Sequence, residues 1–275
     1  MALLATAHHR QSRWQLYVLA IVISLFIVVP IYVIAVAAFT PRSVLNGFPK
    51  PLLPVAISTD TMQAFLASRG VGQSVINSLI VGVLTLVLSL VLGAPAGYAL
   101  ARFAFRGRDS FQTLILMTRA FPIVILAVPL TVTFISWNLY DTLWAVALVH
   151  TALALPTTVL ITASVFVAVP IDLEEAALTL GCTPLGAFLR VAMPLALPGL
   201  AAASIFTFVL SWNEVFASAI LTVQNRTLPA QVLTQLDNSP LPYKFAGGFA
   251  LIVPSLVFIF FIRRYLFNMW GRVVR

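Results

Sequence analysis

Six apolar stretches, each long enough to cross a hydrocarbon layer as a helix, constrain this 275-residue chain more than any other feature. A bilayer core of about 30 Å takes roughly 20 helical residues per crossing. The stretches run from about Leu16 to Phe39, Ser78 to Leu100, Phe111 to Ile135, Leu143 to Val169, Leu195 to Leu221 and Phe245 to Phe267. Lipid offers no partner to an unpaired amide or carbonyl, so each crossing must be a helix or part of a closed barrel. The two-residue alternation of a barrel strand is absent from these runs, which leaves helices. Arg10 and Arg13 ahead of the first stretch, and Ala37 and Ala38 at its end, imitate a secretory signal. Its 24 residues exceed the apolar core of such a signal, so it reads as a retained helix.

Composition agrees, with 61% hydrophobic and 9% charged residues where a soluble domain has about 25% charged. The net charge of +8 raises nucleic acid as a partner, but the basic residues form no continuous stripe with interleaved aromatics. They sort by topology instead. Ten (Arg10, Arg13, Arg102, Arg106, Arg108, Arg190, Arg263, Arg264, Arg272, Arg275) fall on one side of the six crossings, and five (Arg42, Lys50, Arg69, Arg226, Lys244) on the other. The richer side is cytoplasmic, which puts both termini inside. Cys182 is the sole cysteine, so neither an intramolecular disulfide nor a multi-cysteine metal site holds the fold. A Gly-rich nucleotide loop is missing, and with it that route to binding ATP.

The chain reads as a single transmembrane domain over 1–275. It has a cytoplasmic tail over 1–15, outer loops over about 40–77 and 222–244, an inner loop over about 170–194 and a cytoplasmic tail over about 268–275. The inner loop is polar enough to leave the bilayer and rich in helix formers, which predicts two short helices. Asp172 with Glu175 forms a capping-box-like start for the first, Gly181 permits a sharp turn at its end, and Thr183 with Pro184 starts the second. Ala176, Ala177 and Leu180 give the first helix a small apolar face beside an acidic one, suited to a groove on another protein. Taken without further context, Glu175 could equally do no more than cap its own helix.

The order Glu175-Ala176-Ala177, Gly181, Val191 and Pro194 resembles the EAA loop of binding-protein-dependent ABC importer permeases. Val191 and Met193 stand where that family more usually has Ile and Leu. Further similarity lies in Asn77-Ser78, in Gly97-Tyr-Ala-Leu-Ala-Arg102 with Phe105 to Arg108, and in Ser211-Trp-Asn-Glu214. It points to the carbohydrate-uptake branch, in particular the smaller membrane subunit of maltose-type transporters. The resemblance implies an all-α integral membrane protein with six transmembrane helices in the type I ABC importer permease architecture. It implies a bacterial or archaeal inner membrane and no catalysis by this chain. The implied partners are a second homologous permease, two copies of a cytoplasmic ATPase and an extracytoplasmic solute-binding protein. ATP and Mg would sit on the ATPase, with no cofactor, metal or nucleic acid held here. Glu174, Glu175, Ala176, Ala177, Gly181 and Pro194 become the ATPase-coupling residues, with Glu175 pairing to a basic residue in the ATPase cleft.

Arg119, His150, Asn213 and Glu214 lie in or near crossings, where an uncompensated charge costs about 2.5 to 3.5 kcal/mol or more. Arg119, Asn213 and Glu214 are candidates for the solute path, with interhelical bonding as the plain alternative. His150 reads as a packing residue, with no second metal-type ligand at helical spacing. Pro122, Pro129, Pro156 and Pro198 interrupt helical hydrogen bonding. Trp137, Tyr140, Trp144 and Trp270 suit the bilayer boundary. The outer loop resembles the family segment that enters the binding protein, with Gln235, Asp237, Asn238 and Ser239 as its polar candidates; an ordinary solvated loop is the other reading. The tail from Arg263 lacks the lysine and glycine that end related chains, which leaves open a tail contact with the ATPase. Two other classes stay open: an ion-gradient transporter, for which Glu214 is the one buried candidate, and an intramembrane enzyme, for which no catalytic pair is visible.

Overall fold

The computed structural model describes residues 13–48, 53–236 and 239–270, with side chains over 14–235 and 239–261 apart from residues 49–52. Every element among them is helical. The chain divides into two compact units, Met1–Ala67 with Asn238–Ala250, and Ser68–Asp237 with Leu251–Arg275.

In the first unit, α1 (Arg13–Ala38) is a long apolar helix followed by the short helices α2 (Arg42–Leu45) and α3 (Asp60–Leu66). Its packed end is aromatic: Phe39 meets Phe249 edge to face at 5.1 Å, and Phe65 meets Tyr243 at 5.2 Å. Most of α1 presents Leu, Ile, Val and Phe side chains outward, from Leu16 to Val29. A helix exposed this way is stable only in an apolar solvent.

The second unit is built on α4 (Val71–Arg102). The second predicted crossing starts seven residues earlier than expected, because Val71 to Asn77 continue the same helix outward. The third predicted crossing is not one helix. It is α5 (Arg108–Met117), a 3₁₀ turn over Thr118–Ala120 and α6 (Ile123–Ser136), bent by 86°. Pro122 forces the break: it has no amide to continue the ladder and drives Phe121 into an extended conformation with ψ 114. Beyond a corner at Asn138 and Asp141, both left-handed as Asn and Asp tolerate, α7 (Leu143–Val167) returns. Then follow α8 (Ile171–Thr179) and α9 (Pro184–Ala187).

The second loop helix is not separate, as the sequence suggested. It runs through a π-type turn over Phe188–Ala192 into α10 (Met193–Asn213). Pro194 lacks an amide and would press its ring on the carbonyl of residue 190, and the widened turn before it absorbs that clash. The fifth predicted crossing also breaks, at Glu214 and Val215, before α11 (Phe216–Leu221); α12 (Leu228–Leu236) and α13 (Leu241–Trp270) complete the chain. Among the described residues, five helices are long and apolar enough to span a membrane, and the bent pair α5–α6 makes a sixth crossing if it counts as one.

Lipid gives helices no hydrophobic reason to associate, so close packing and hydrogen bonds must hold the bundle. One face of α4 supplies both through the buried stripe Ser78, Gly82, Thr85, Ser89, Gly93 and Gly97. Gly93 and Gly97 lie against Thr158, Thr162 and Ala163 of α7. Thr162 donates its hydroxyl to the Gly93 carbonyl at 2.9 Å, and the Thr158 and Thr207 hydroxyls meet at 3.0 Å between α7 and α10.

The corner between α6 and α7 fastens the chain beyond α11. The Asp141 carboxylate accepts from the amides of Val223, Gln224 and Asn225 at 2.8, 3.0 and 3.1 Å. Asp141→Ala removes the acceptor of all three bonds and places a residue poorly suited to positive φ at that position. The expected outcome is an assembled protein cut faster by protease within 222–227, while Asp141→Asn, which tolerates the same backbone, is cut at an intermediate rate.

Candidate functional site

At the inner loop, α8 begins after Pro170 without a side-chain cap. The predicted capping role of Asp172 and Glu175 is therefore corrected: Pro170 fills the position before the first turn, and both acids point outward. The end of α8 follows the expectation. Gly181, at φ +90, donates to the Leu178 carbonyl at 3.0 Å, and Cys182 donates to the Ala177 carbonyl at 3.0 Å. These two bonds form the left-handed helix stop that glycine adopts without steric cost. Thr183 then caps α9 by accepting from the Gly186 amide at 3.1 Å.

The two adjacent acids face opposite ways. Glu175 is exposed, as are Ala176 and Gly181, with Ala177 half-buried; Pro194 is exposed at the start of α10. Glu174 is buried and turned into the protein, where it meets Arg102 and Tyr98. Sequence reasoning placed both acids on the partner-facing side. The pairing of Glu174 spans 72 residues, so no local spacing announces it.

Deeper in the second unit, both broken crossings converge on one cavity of about 210 Å³. Thr118 and Arg119 reach it from the break before α6, Ala152, Leu153 and Pro156 from α7, and Leu210 and Glu214 from the end of α10. Non-helical backbone at membrane depth is tolerated where it is buried in protein or lines a polar cavity, and here two such breaks line the same one. Glu214 caps α11, accepting from the amides of Phe216 at 3.0 Å and Ala217 at 2.9 Å. It also accepts from His150 Nε2 at 3.1 Å, while His150 Nδ1 meets the Ser211 hydroxyl at 2.9 Å. His150 is fully buried with both ring nitrogens satisfied, the packing role expected of it. Asn213 does not join the cavity: its side-chain amide donates back to the Val209 carbonyl at 2.8 Å.

On the outer side, the stretch read as a loop contains the helix α12, tied to the start of α4. Ser78 accepts from the Leu228 amide at 2.7 Å, and Asn77 donates to the Arg226 carbonyl at 3.0 Å. Gln235 donates to the Arg69 carbonyl at 3.0 Å. Ser239 precedes α13, and Asp237 and Asn238 lie outside the described residues.

Residues 89–269 match the inner membrane component of binding-protein-dependent transport systems. The chain belongs to that family. The trehalose transport system permease SugB of Mycobacterium tuberculosis is 31% identical to this permease over 219 residues, 78% of this chain and 80% of that one. The arabinooligosaccharide transport system permease AraQ of Halalkalibacterium halodurans is 31% identical over 260 residues, 92% of both chains. Among solved structures, a chain of a bacterial ABC transporter that imports the acidic polysaccharide alginate superimposes with a TM-score of 0.71 at 23% identity, covering 91% of this permease and 94% of that chain. The fold is thus that of an ABC importer permease, a multi-pass inner membrane protein and a transport component rather than an enzyme. The matched region takes in the cavity, the inner loop with α8, and Ser89, Gly93 and Gly97 of the small-residue face of α4.

Proposed function

We propose that this permease forms half of the pore of an ATP-driven sugar importer and takes its driving force through α8. The observation that carries the reading is the face made by exposed Glu175 and Ala176 beside half-buried Ala177, ended at Gly181 by a fixed turn and held at the family spacing from Pro194. Exposed Leu173, Leu178, Leu180 and Leu185 surround that face, more apolar surface than an inner loop needs unless a partner covers it. A cytoplasmic ATPase, present in two copies and holding ATP and Mg, receives α8 in a cleft, with Glu175 pairing to a basic residue there. A second homologous permease completes the pore, and an extracytoplasmic binding protein delivers the solute. Both termini lie in the cytoplasm of a bacterial or archaeal cell.

Relatives named for trehalose and arabinooligosaccharide transport support a sugar as cargo. The cavity between Arg119 and Glu214 belongs to the solute path in this reading, since a guanidinium and a carboxylate can donate to and accept from sugar hydroxyls at a membrane-depth break. Gln235, in the last turn of α12, and Asp237, Asn238 and Ser239, which follow it in the sequence, are the residues offered to the binding protein. The whole chain works as one transmembrane domain.

The test is Glu175→Lys, made alone and with Gly181→Val. Expected is normal insertion with loss of the co-purifying ATPase and a fall in uptake of about tenfold or more, the scale of a reversed charge contact in an interface. Uptake is read with radiolabelled trehalose, maltose and arabinotriose in cells that make the unaltered importer and then the variants. Wild-type ATPase retention and uptake in both variants would remove the coupling assignment.

A further inference from the structure

Resting on that coupling reading, we infer that Arg102, Glu174 and Tyr98 form a clamp that makes α8 move as one body with the inner ends of α4 and α7. Arg102 closes α4. Its Nε and Nη2 donate to Glu174 Oε1 at 2.9 and 2.6 Å, and Nη2 also donates to the Val169 carbonyl, just past α7, at 2.8 Å. The Tyr98 hydroxyl donates to the other carboxylate oxygen at 2.6 Å. One guanidinium therefore joins three segments, and both oxygens of the carboxylate are taken. The side chains of Arg102 and Glu174 are only 9% and 6% exposed. A lid of rings covers them, with Tyr98 packed on Phe188 at 4.6 Å, Phe166 at 5.4 Å and Phe103 at 6.4 Å.

A buried ion pair is a poor device for stability alone, because desolvation cancels most of the attraction and an apolar pair of similar volume often does as well. What the pair supplies is direction. The planar guanidinium accepts few orientations, and its charge suits the carbonyl-rich ends of α4 and α7 while the carboxylate suits the first turn of α8. Without the clamp, α8 is held by the linkers at Val169–Pro170 and Leu180–Thr183 and by its packing on α9 and the turn over Phe188–Ala192, and a push on Glu175 would pass mainly toward α10. With the clamp, the same push is delivered also to α4 and to α7, whose far portion carries His150 and part of the cavity wall. Arg102, Glu174 and Tyr98 are thus positioning residues, inward-facing counterparts of the outward-facing Glu175.

The test compares cavity access with nucleotide state in importer purified from native membranes through a tag on this chain. In a Cys182→Ser background, Leu210→Cys on the cavity wall reports access to a membrane-impermeant methanethiosulfonate reagent. In that background, trapping with ATP and vanadate is expected to change the labelling rate by about tenfold, an ordinary coupling free energy. The apolar double variant Arg102→Met with Glu174→Leu is expected to keep its ATPase bound and hydrolysing while the labelling change falls to about twofold or less. Tyr98→Phe, which keeps the ring and loses one bond, is expected to fall between and covers the case of a double variant that does not assemble. An unreduced change in the assembled double variant, or in Tyr98→Phe where the double variant is lost, overturns the clamp. A background showing no change with nucleotide overturns the coupling reading and the clamp together, whereas Glu175→Lys that sheds the ATPase while the double variant keeps both ATPase and labelling change removes the clamp alone.

Discussion

Gly97→Leu should leave no folded permease. A β-carbon at Gly97 would overlap the Thr162 hydroxyl and lie 2.6 Å from the Ala163 amide nitrogen and 2.9 Å from the Thr162 carbonyl carbon. The first obstacle is a side chain that can turn away, but the other two are backbone of α7 and cannot. The helices must separate, and α4 against α7 is the most extensive helix pair among the described residues. Separation by even a fraction of an ångström weakens the Thr162 bond to the Gly93 carbonyl and opens the contact of Gly93 with Thr158. Overpacking costs roughly 1 to 3 kcal/mol where neighbours can yield, so Gly97→Ala should already lower the folding equilibrium constant by about fivefold or more and lower the melting temperature. Leucine adds three further carbons with nowhere to go. Gly72, in the first turn of the same helix, has open space where a β-carbon would stand, with nothing within 4 Å, and Gly72→Ala should be neutral or stabilising by about 0.5 to 1 kcal/mol. Gel filtration and thermal melting of the three variants in detergent check this. Wild-type melting of Gly97→Leu would mean that the α4–α7 seam does not hold the bundle.

The residues of the seam, Ser78, Gly82, Thr85, Ser89, Gly93 and Gly97, recur every three or four residues along an otherwise bulky helix, a spacing that reading the crossings by apolar length passed over. Apolar length alone fixed the crossings, because helix formation in lipid follows from the backbone's need for partners and little else. The same reasoning overran the breaks. Pro122 could be seen to interrupt a ladder, but whether a proline kinks a helix or ends it depends on what neighbours the freed groups, here the cavity beside Arg119. Glu214 looked like a polar residue inside a crossing, and its position at a break follows from its bonds to the Phe216 and Ala217 amides. In the inner loop the turn at Gly181 and the cap at Thr183 were legible because both act within five residues of chain. The inward turn of Glu174 was not, because its partners lie on another helix and the neighbouring Glu175 carries the same side chain outward.

Glu214→Leu is the second substitution expected to be severe, and the arithmetic of its neighbours says why. Three donors lose their acceptor at once: the Phe216 and Ala217 amides and His150 Nε2. The Phe216 amide is exposed and can turn to water, while the two part-buried donors left unpaired cost about 1 to 3 kcal/mol each, so the sum is on the order of 2 to 6 kcal/mol, at its upper end comparable to breaking a buried ion pair. Glu214→Gln keeps one acceptor oxygen near the same place and should lose far less. His150→Leu is intermediate, because the carboxylate retains its two amide donors and gives up only the imidazole. Interhelical hydrogen bonds in membranes average under about 1 kcal/mol, so that loss would be small if Glu214 were otherwise solvated; at the wall of a narrow cavity it should reach about 2 to 3 kcal/mol. The double variant His150→Leu with Glu214→Leu should then be less damaged than the sum of the single changes, by the interaction energy of the pair. Thermal melts of the four proteins in one detergent read that energy directly. Additive losses would show that the imidazole and the carboxylate stand side by side without depending on each other, and that the cap on α11 alone accounts for Glu214.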